Sequence, residues 1–357
     1  MPVELLGKSI DELRGYVASL GEAAYRAKQI YRALYAERRF DFAAMTNLPA
    51  ALRARLAAEA RISLPRVVRR FASADGSVRF LMALEADAGR AAQIETVFMP
   101  ADGRQTICIS TQAGCAVDCH FCLTAQLGLI RNLSAGEIVG QALVALAEHG
   151  EAALAPRTNV VLMGQGEPLL NYEAVMAAVR IMLDAEGMGI SPRHVTLSTS
   201  GIVPGIERLA REAVRPKLAI SLNASTDQQR DAVMPINRKY PLARLLEACR
   251  EYPLRTWESL TFEYVLLGGV NDAPEDARRV ARLVSDLRAK VNLIPWNPGA
   301  LAYRAPEAAR VEEFRRVLVA KGVPAFVRLS RGQDVFAACG QLALVETATA
   351  LPVLPSH

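Results

Sequence analysis

From Gln105 onward the chain alternates between short β-favouring runs and amphipathic helical runs. That alternation constrains the fold more than any other feature. Six strand candidates, Thr106–Ser110, Asn159–Met163, His194–Ser198, Lys217–Leu222, Leu260–Leu267 and Lys290–Ile294, are separated by helical patterns. Those patterns run over Ala135–His149, Tyr172–Glu186, Ile206–Ala213, Leu242–Tyr252 and Pro274–Leu287. A helix over Pro306–Lys321 and a further strand candidate, Ala325–Leu329, follow. Consecutive β-then-α units require parallel strands joined by right-handed crossovers. Nothing marks a reversal of strand order, so an α/β fold with a partial βα barrel is expected rather than a doubly wound sheet. Barrels place function at the C-terminal ends of their strands. The unusual polar segments, Gly164-Gln-Gly-Glu-Pro, Ser198-Thr-Ser-Gly, Ser221-Leu-Asn-Ala and Pro295-Trp-Asn-Pro, fall there.

Before the barrel, residues 1–66 read as a small helical domain, opened by a capping box of Ser9 and Glu12. A strand-rich β-hairpin connector is expected over 67–104, the barrel core over 105–345 and a tail over 346–357. The length of 357 residues allows such an arrangement, and the 51% hydrophobic content argues against disorder. No apolar run approaches the roughly 18 residues of a membrane span. The charged start MPVELLGKSIDELRGY lacks an apolar signal core, so a cytoplasmic protein without membrane association is expected. Residues 1–70 hold 13 Lys+Arg against 7 Asp+Glu, whereas the rest holds 29 against 30. A basic segment on a neutral body suits a polyanionic partner, nucleic acid above all, although a solvated helical surface would look the same.

Six cysteines in a chain this long do not make a disulfide scaffold. Cys115, Cys119 and Cys122 form a C-x3-C-x2-C arrangement on a loop opened by Gly114. Three thiolates so close in sequence can wrap one soft metal centre. Zinc would need His120 or Cys108 as a fourth ligand, and no second cysteine knuckle exists. A [4Fe–4S] cluster held by three cysteines leaves one iron open, and it is the preferred reading.

With an aromatic residue, Phe121, before the last cysteine, this motif resembles the signature of radical S-adenosylmethionine (SAM) enzymes. Further runs narrow the resemblance to RlmN/Cfr-type RNA methyltransferases. They are Ile94-Glu-Thr-Val, Cys108-Ile-Ser-Thr-Gln-Ala-Gly-Cys115, Arg131-Asn-Leu, Met163-Gly-Gln-Gly-Glu-Pro-Leu-Leu-Asn171, Leu197-Ser-Thr-Ser-Gly201, Asn292-Leu-Ile-Pro-Trp-Asn-Pro298 and Arg331-Gly-Gln-Asp…Ala338-Cys339-Gly-Gln. The resemblance covers essentially the whole chain. It implies a partial (βα)6 radical SAM barrel, a [4Fe–4S] cluster on Cys115, Cys119 and Cys122, and two SAM molecules per turnover. The chain departs from the family pattern at Gln165, where methionine is usual, at Ala125, where glycine is common, and at Asn223, where histidine often stands.

The resemblance also assigns roles. Cys339 would carry the methyl group as S-methylcysteine, Cys108 would form a transient disulfide with it, and Glu95 would accept a proton. A lone cysteine is more often a buried hydrophobe, and Cys249 is assigned so. Gly166, Glu167, Ser198, Ser221, Leu222, Asn223 and Asn297 would contact SAM, although serine and asparagine at strand ends are ordinarily caps and turn formers. The Gly164-x-Gly166 pair is no dinucleotide motif, because Leu169 stands where its third glycine is needed.

The activity implied is methylation of carbon 2 of an adenosine in 23S rRNA and tRNA. Carbon 8 methylation of the Cfr type is the near alternative, and a zinc-stabilised RNA-binding protein the distant one. The adenine carbon offers no lone pair to a SAM methyl group, so a radical route is needed. Lys8, Arg26, Lys28, Arg32, Arg38, Arg39, Arg53 and Arg55 would grip the RNA backbone. A flavodoxin or ferredoxin-type electron donor and a monomeric enzyme are expected.

Overall fold

The computed structural model describes residues 2–87, 89–149, 157–299 and 301–344. The tail expected over 346–357 lies outside them. The chain opens with β1 (Val3–Glu4), α1 (Ile10–Ser19), α2 (Tyr25–Tyr35), α3 (Ala50–Glu59) and β2 (Ala60–Arg61), and the two short strands pair in parallel. The capping box at α1 forms: Ser9 Oγ accepts from Glu12 N at 3.2 Å, and the Glu12 carboxylate accepts from Ser9 N at 2.7 Å. Leu13, Ile30 and Leu34 of these helices share one continuous core with the barrel helices.

Four antiparallel strands follow, β3 (Arg66–Ala72), β4 (Val78–Asp87), β5 (Arg90–Ala101) and β6 (Arg104–Cys108). The strand-rich stretch is therefore an extension of the barrel's own sheet, because β5 pairs along β6 from Val97↔Cys108 to Ala101↔Arg104. A hairpin of β7 (Gln112–Gly114) and β8 (Leu129–Asn132) brackets the cysteine loop. Then come α4 (Ala135–Glu148), β9 (Thr158–Leu162), α5 (Tyr172–Leu183), β10 (Val195–Thr199), α6 (Val203–Ala210), β11 (Lys217–Ser221), α7 (Asp227–Val233) and α8 (Leu242–Arg250). The chain continues through β12 (Leu260–Leu266), α9 (Pro274–Leu283), β13 (Ala289–Pro295), α10 (Ala308–Ala320) and β14 (Ala325–Val327).

One ten-stranded sheet among the described residues has the order β14-β13-β12-β11-β10-β9-β6-β5-β4-β3. From β6 to β14 all pairings are parallel, as the alternation requires. The expected strands shift by one or two residues at their ends. Helix α6 starts at Val203, earlier than the expected Ile206, because Pro204 suits the first turn of a helix, and α9 ends at Leu283 rather than at the expected Leu287. Helix α7 and the β7–β8 hairpin are too short to give a periodic signal.

Residue alternation fixes which side chains face the barrel interior. Leu218 and Ile220, Phe262 and Tyr264, and Val291 and Leu293 lie in the core beneath the helices. Lys217, Ala219 and Ser221, Thr261 and Glu263, and Lys290 and Asn292 occupy the opposite, interior face. No helix among the described residues is long and apolar enough to cross a membrane.

Candidate active site

The loop after β7 turns at Gly114, whose φ is +74°, and a Cβ there would lie 1.8 Å from Gly128 O. Only glycine fits, so the chain can double back and Cys115 N can donate to Gly128 O at 2.9 Å. Cys115, Cys119 and Cys122 are half-buried thiols within electrostatic reach of one another. Burial pushes the Cys115 thiol up to about 12 and raises those of Cys119 and Cys122 as well. Glu167 lies in reach of Cys115 and Cys119 and adds to the rise. Three protonated thiols packed this way gain greatly from a soft cation that ionises them.

Both candidate fourth ligands for zinc are committed elsewhere. His120 Nδ1 is 2.8 Å from Ala232 O, and its ring stays partly exposed beside Asp118. Cys108 is buried at the end of β6 and packs with Val97, Val335, Ala337 and Leu342. Among the described residues, no three His, Cys, Asp or Glu side chains converge as a single metal ion requires. The donor set fits a three-cysteine iron–sulfur cluster better than tetrahedral zinc.

The C-terminal loop ties the site together. Leu123 N donates to Gly340 O at 2.9 Å, and Thr124 Oγ1 to Leu342 O at 2.7 Å, so the loop leans on the cysteine segment. Asn297 Nδ2 donates to Cys339 O at 3.1 Å, and Asn297 Oδ1 accepts from Gln333 Nε2 at 2.7 Å. Cys339 itself is exposed, and Cys108 lies in its electrostatic reach. Burial raises the Cys108 thiol, and the Cys339 thiol is pushed up to about 11 by its surroundings and by Glu263. All six cysteines are free thiols. Cys249 packs in the core.

Glu95 has no exposed surface and lies on β5. Its Oε1 pairs with Arg79, and its Oε2 accepts from Leu344 N at 3.1 Å and Gln165 Nε2 at 3.3 Å. Burial pushes its carboxyl above the usual carboxylate range, and Arg79 opposes the rise.

Gly166 has φ +97°, and a Cβ there would lie 2.5 Å from Gln112 Cβ, so this backbone presses against β7. Glu167 N donates to Gln112 Oε1 at 2.9 Å. The Glu167 carboxylate accepts from Ser200 N at 2.7 Å, Ser200 Oγ at 2.8 Å and Leu169 N at 3.0 Å, joining the tops of β9 and β10. Ser198 and Ser221 stand on the interior face, and among the described residues their hydroxyls have no protein partner. Leu222 is fully buried and its N donates to Glu263 O at 2.9 Å. Asn223 has φ +56°, and its side chain is engaged with Val265 N at 2.8 Å and Met234 Sδ at 3.2 Å.

Some site residues left no sequence signal. Arg79 is one, since a lone arginine in a strand looks like a solvated edge. Arg230 is another: fully buried, it donates to Leu222 O, Ser200 O and Ser221 O and locks the strand tops together. Gln333 does carry a signal, since its amide lies in the Arg331-Gly-Gln-Asp run shortly before Cys339 and donates to Asn297 Oδ1.

Comparison with known proteins agrees with this geometry. The Radical SAM superfamily profile matches residues 109–283, and the ribosomal RNA large subunit methyltransferase N-terminal domain profile matches residues 3–62. The dual-specificity RNA methyltransferase RlmN of Anaeromyxobacter dehalogenans is 50% identical over 339 residues, covering 93% of this chain and 90% of its own. That of Geobacter sulfurreducens is 45% identical, covering 95% and 92%. A radical SAM methyltransferase from Sphaerobacter thermophilus superposes with a TM-score of 0.90 at 45% identity, covering 96% and 99%. With the barrel, the three-cysteine loop and nearly the whole length of the chain in common with these proteins, the chain belongs to the RlmN family of radical SAM RNA methyltransferases.

Proposed function

We propose that the protein methylates carbon 2 of adenosine in 23S rRNA and in tRNA. The observation that carries this reading is the single loop from Gln333 to Leu344. It holds Cys339 within reach of Cys108, rests on the cysteine segment through Gly340, and touches Glu95 through Leu344. A methyl carrier, its redox partner and a proton acceptor thus meet at the cysteine-bearing end of one barrel.

Cys115, Cys119 and Cys122 would hold the [4Fe–4S] cluster. The cluster and SAM, when bound, supply the methyl group and the 5′-deoxyadenosyl radical that an aromatic carbon without a lone pair requires. Gly166 offers close backbone approach, Glu167 a carboxylate for the SAM ammonium, and Ser198 and Ser221 free hydroxyls for its polar groups. Leu222, Asn223 and Asn297 contribute through backbone contacts, because both asparagine side chains already have partners.

Cys339 accepts the methyl group and becomes S-methylcysteine, so one SAM is used there and a second as radical source. One hydrogen atom of the Cys339 methyl group would pass to the radical that bound SAM supplies, and the carbon would bond to the adenine ring, which then gives up one electron and, to Glu95, one proton. Cys108 as thiolate attacks the Cys339 sulfur, forming a disulfide and breaking the carbon–sulfur bond, and the released carbon takes up a proton as the base's methyl group. The reaction needs a low-potential electron from a flavodoxin or ferredoxin-type carrier. We place the enzyme in the cytoplasm as a monomer, with residues 1–66 as an accessory RNA-binding domain.

Anaerobic reconstitution followed by nucleoside mass spectrometry tests the proposal. The expected product is 2-methyladenosine in rRNA and tRNA. Finding 8-methyladenosine alone would assign carbon 8 instead. Stoichiometric zinc with no iron–sulfur absorbance and no methylated base would sink the enzyme reading.

A further inference from the structure

The ten-stranded sheet ends at β14 on one side and at β3 on the other. The segment that leaves β14 crosses to the β3 side and is fastened there. Its anchor is the tight turn between β3 and β4, in which Ser73 N donates to Ser77 O at 2.8 Å and Gly76 N to Ser73 O at 3.0 Å.

Two carboxylates, one from each side, make the junction. Asp75, in the turn, accepts from Arg331 Nε at 3.2 Å and Gly332 N at 3.1 Å through Oδ2, while its Oδ1 accepts from Ser77 N at 2.8 Å. Asp334 reaches back, accepting from Ser73 Oγ at 2.6 Å and Ala74 N at 3.1 Å. The Arg331 guanidinium also donates to two carbonyls, Asp75 O and Pro100 O, each at 2.6 Å. A partly exposed ion pair such as Arg331–Asp75 contributes little alone. Here each carboxylate takes backbone N–H bonds as well, and such charge-assisted bonds fix direction together with distance. Burial disfavours the ionised Asp75, yet the bonds from Ser77 and Gly332 outweigh it and hold the carboxyl well below the usual carboxylate range. Asp334 is lowered by its bonds from Ser73 and Ala74.

From this root a strap of chain runs antiparallel to β5 toward the cysteines. Arg331 touches Pro100, Val335 and Ala337 pack with Val97, and Leu344 N reaches Glu95. The start of the strap is tightly wound. Ala337 N donates to Gly332 O at 2.8 Å, and a Cβ on Gly332, whose φ is +64°, would lie 2.7 Å from Ala337 Cβ. Phe336 has φ +53°, which a bulky side chain rarely adopts and which persists only where the surroundings hold it. Beyond it, Gln341 N donates to Ala338 O at 3.0 Å and Ala338 N to Gln341 Oε1 at 3.3 Å. Cys339 sits exposed on that turn.

Cys339 has to meet SAM, the adenine ring and Cys108 in succession. A strap that wandered would lose the near-attack geometry at each encounter. We propose that Asp75 and Asp334 are positioning residues for the methyl-carrying cysteine: they fasten the root of its strap to the β3–β4 turn and so keep Cys339 in register with β5 through all of these encounters. This rests on the reading above that Cys339 carries the methyl group. Both carboxylates act through the strap.

The test uses the full chain after anaerobic reconstitution and compares wild type with Asp75→Asn, Asp334→Ala and the double variant. It follows S-methylation of Cys339 across a SAM series, together with the 5′-deoxyadenosine and methyladenosine formed with RNA. In the double variant the saturating rate of S-methylation should fall about tenfold, while the half-saturating SAM concentration stays within about twofold. The 5′-deoxyadenosine released per methylated base should rise several-fold, because the radical forms while its target is misplaced. The single variants should fall between. Arg70→Gln removes an ion pair with Glu148 from the same strand β3 and should leave that ratio unchanged. Wild-type rates and ratio in the double variant would overturn the proposal, as would an equal rise in Arg70→Gln, which marks general loosening of the sheet. Loss of SAM cleavage along with methylation in every variant would also overturn it, since the barrel rather than the cysteine would then have failed. Wild-type protein that forms no S-methylcysteine would overturn the underlying reading instead.

Discussion

Arg79 and Glu95 form an ion pair in which neither side chain has any exposed surface. The Arg79 guanidinium also lies 4.0 Å above the Phe71 ring, so its position is set from two sides. Desolvation drives a buried carboxylate toward its neutral form, and a fixed neighbouring cation resists this. Here burial is the larger influence and the Glu95 carboxyl is raised. Arg79 keeps a proposed proton acceptor from being neutralised outright.

Arg79→Met should therefore raise Glu95 further. As pH rises, the unfolded chain releases this proton before the folded chain does, so stability from Glu95 falls as pH climbs from the usual carboxylate range to the raised value. The substitution widens that window. The acid limb of adenosine methylation should move up by about one pH unit or more, while Arg79→Lys stays near wild type. A pH–rate profile checks this, and an unmoved limb would separate Arg79 from the proton step.

Gln165 supplies a different prediction. Its Nε2 reaches Glu95 at 3.3 Å, but its Oε1 is buried with no partner among the described residues. An unsatisfied buried polar atom costs about 1–3 kcal/mol. Gln165→Met removes that cost along with a long hydrogen bond. Thermal unfolding should then show equal or higher stability, and a large loss would mean that Oε1 has a partner in solution.

Gly114→Ala should prevent the cysteine loop from closing. Its Cβ would meet Gly128 O at 1.8 Å in a backbone conformation that alanine avoids. Iron content and visible absorbance after reconstitution should drop to a small fraction of wild type. Gly128→Ala, with no atom within 4 Å of its Cβ, carries only the strain of φ +62° and should lose less.

Cys339→Ala should abolish methylation while SAM cleavage persists, read as 5′-deoxyadenosine formed without methylated base. Asn297→Ala removes the Nδ2 bond to Cys339 O and the anchor for Gln333. It should slow S-methylation of Cys339 by about tenfold. Wild-type S-methylation kinetics in that variant would show that the loop is held without Asn297.

Much of the architecture was legible because it rests on short-range pattern. The strand and helix alternation predicted a parallel barrel, and Ser9 with Glu12 predicted the start of α1. The C-x3-C-x2-C spacing put Cys115, Cys119 and Cys122 on one loop, where the structure keeps them within electrostatic reach of one another. Where an element spans only a few residues, as with α7 or the strands of the β7–β8 hairpin, periodicity had nothing to register.

The sequence by itself determined the barrel and the family, because local spacing and contiguous motifs dictate them. Tertiary structure decided which residues meet across large separations. It set Arg79 of β4 against Glu95 of β5, hung the Cys339 loop from Asn297, and spent the N-terminal arginines on nearby carboxylates. Charge counted along a chain cannot distinguish a paired arginine from a free one, since pairing depends on neighbours that only the fold supplies.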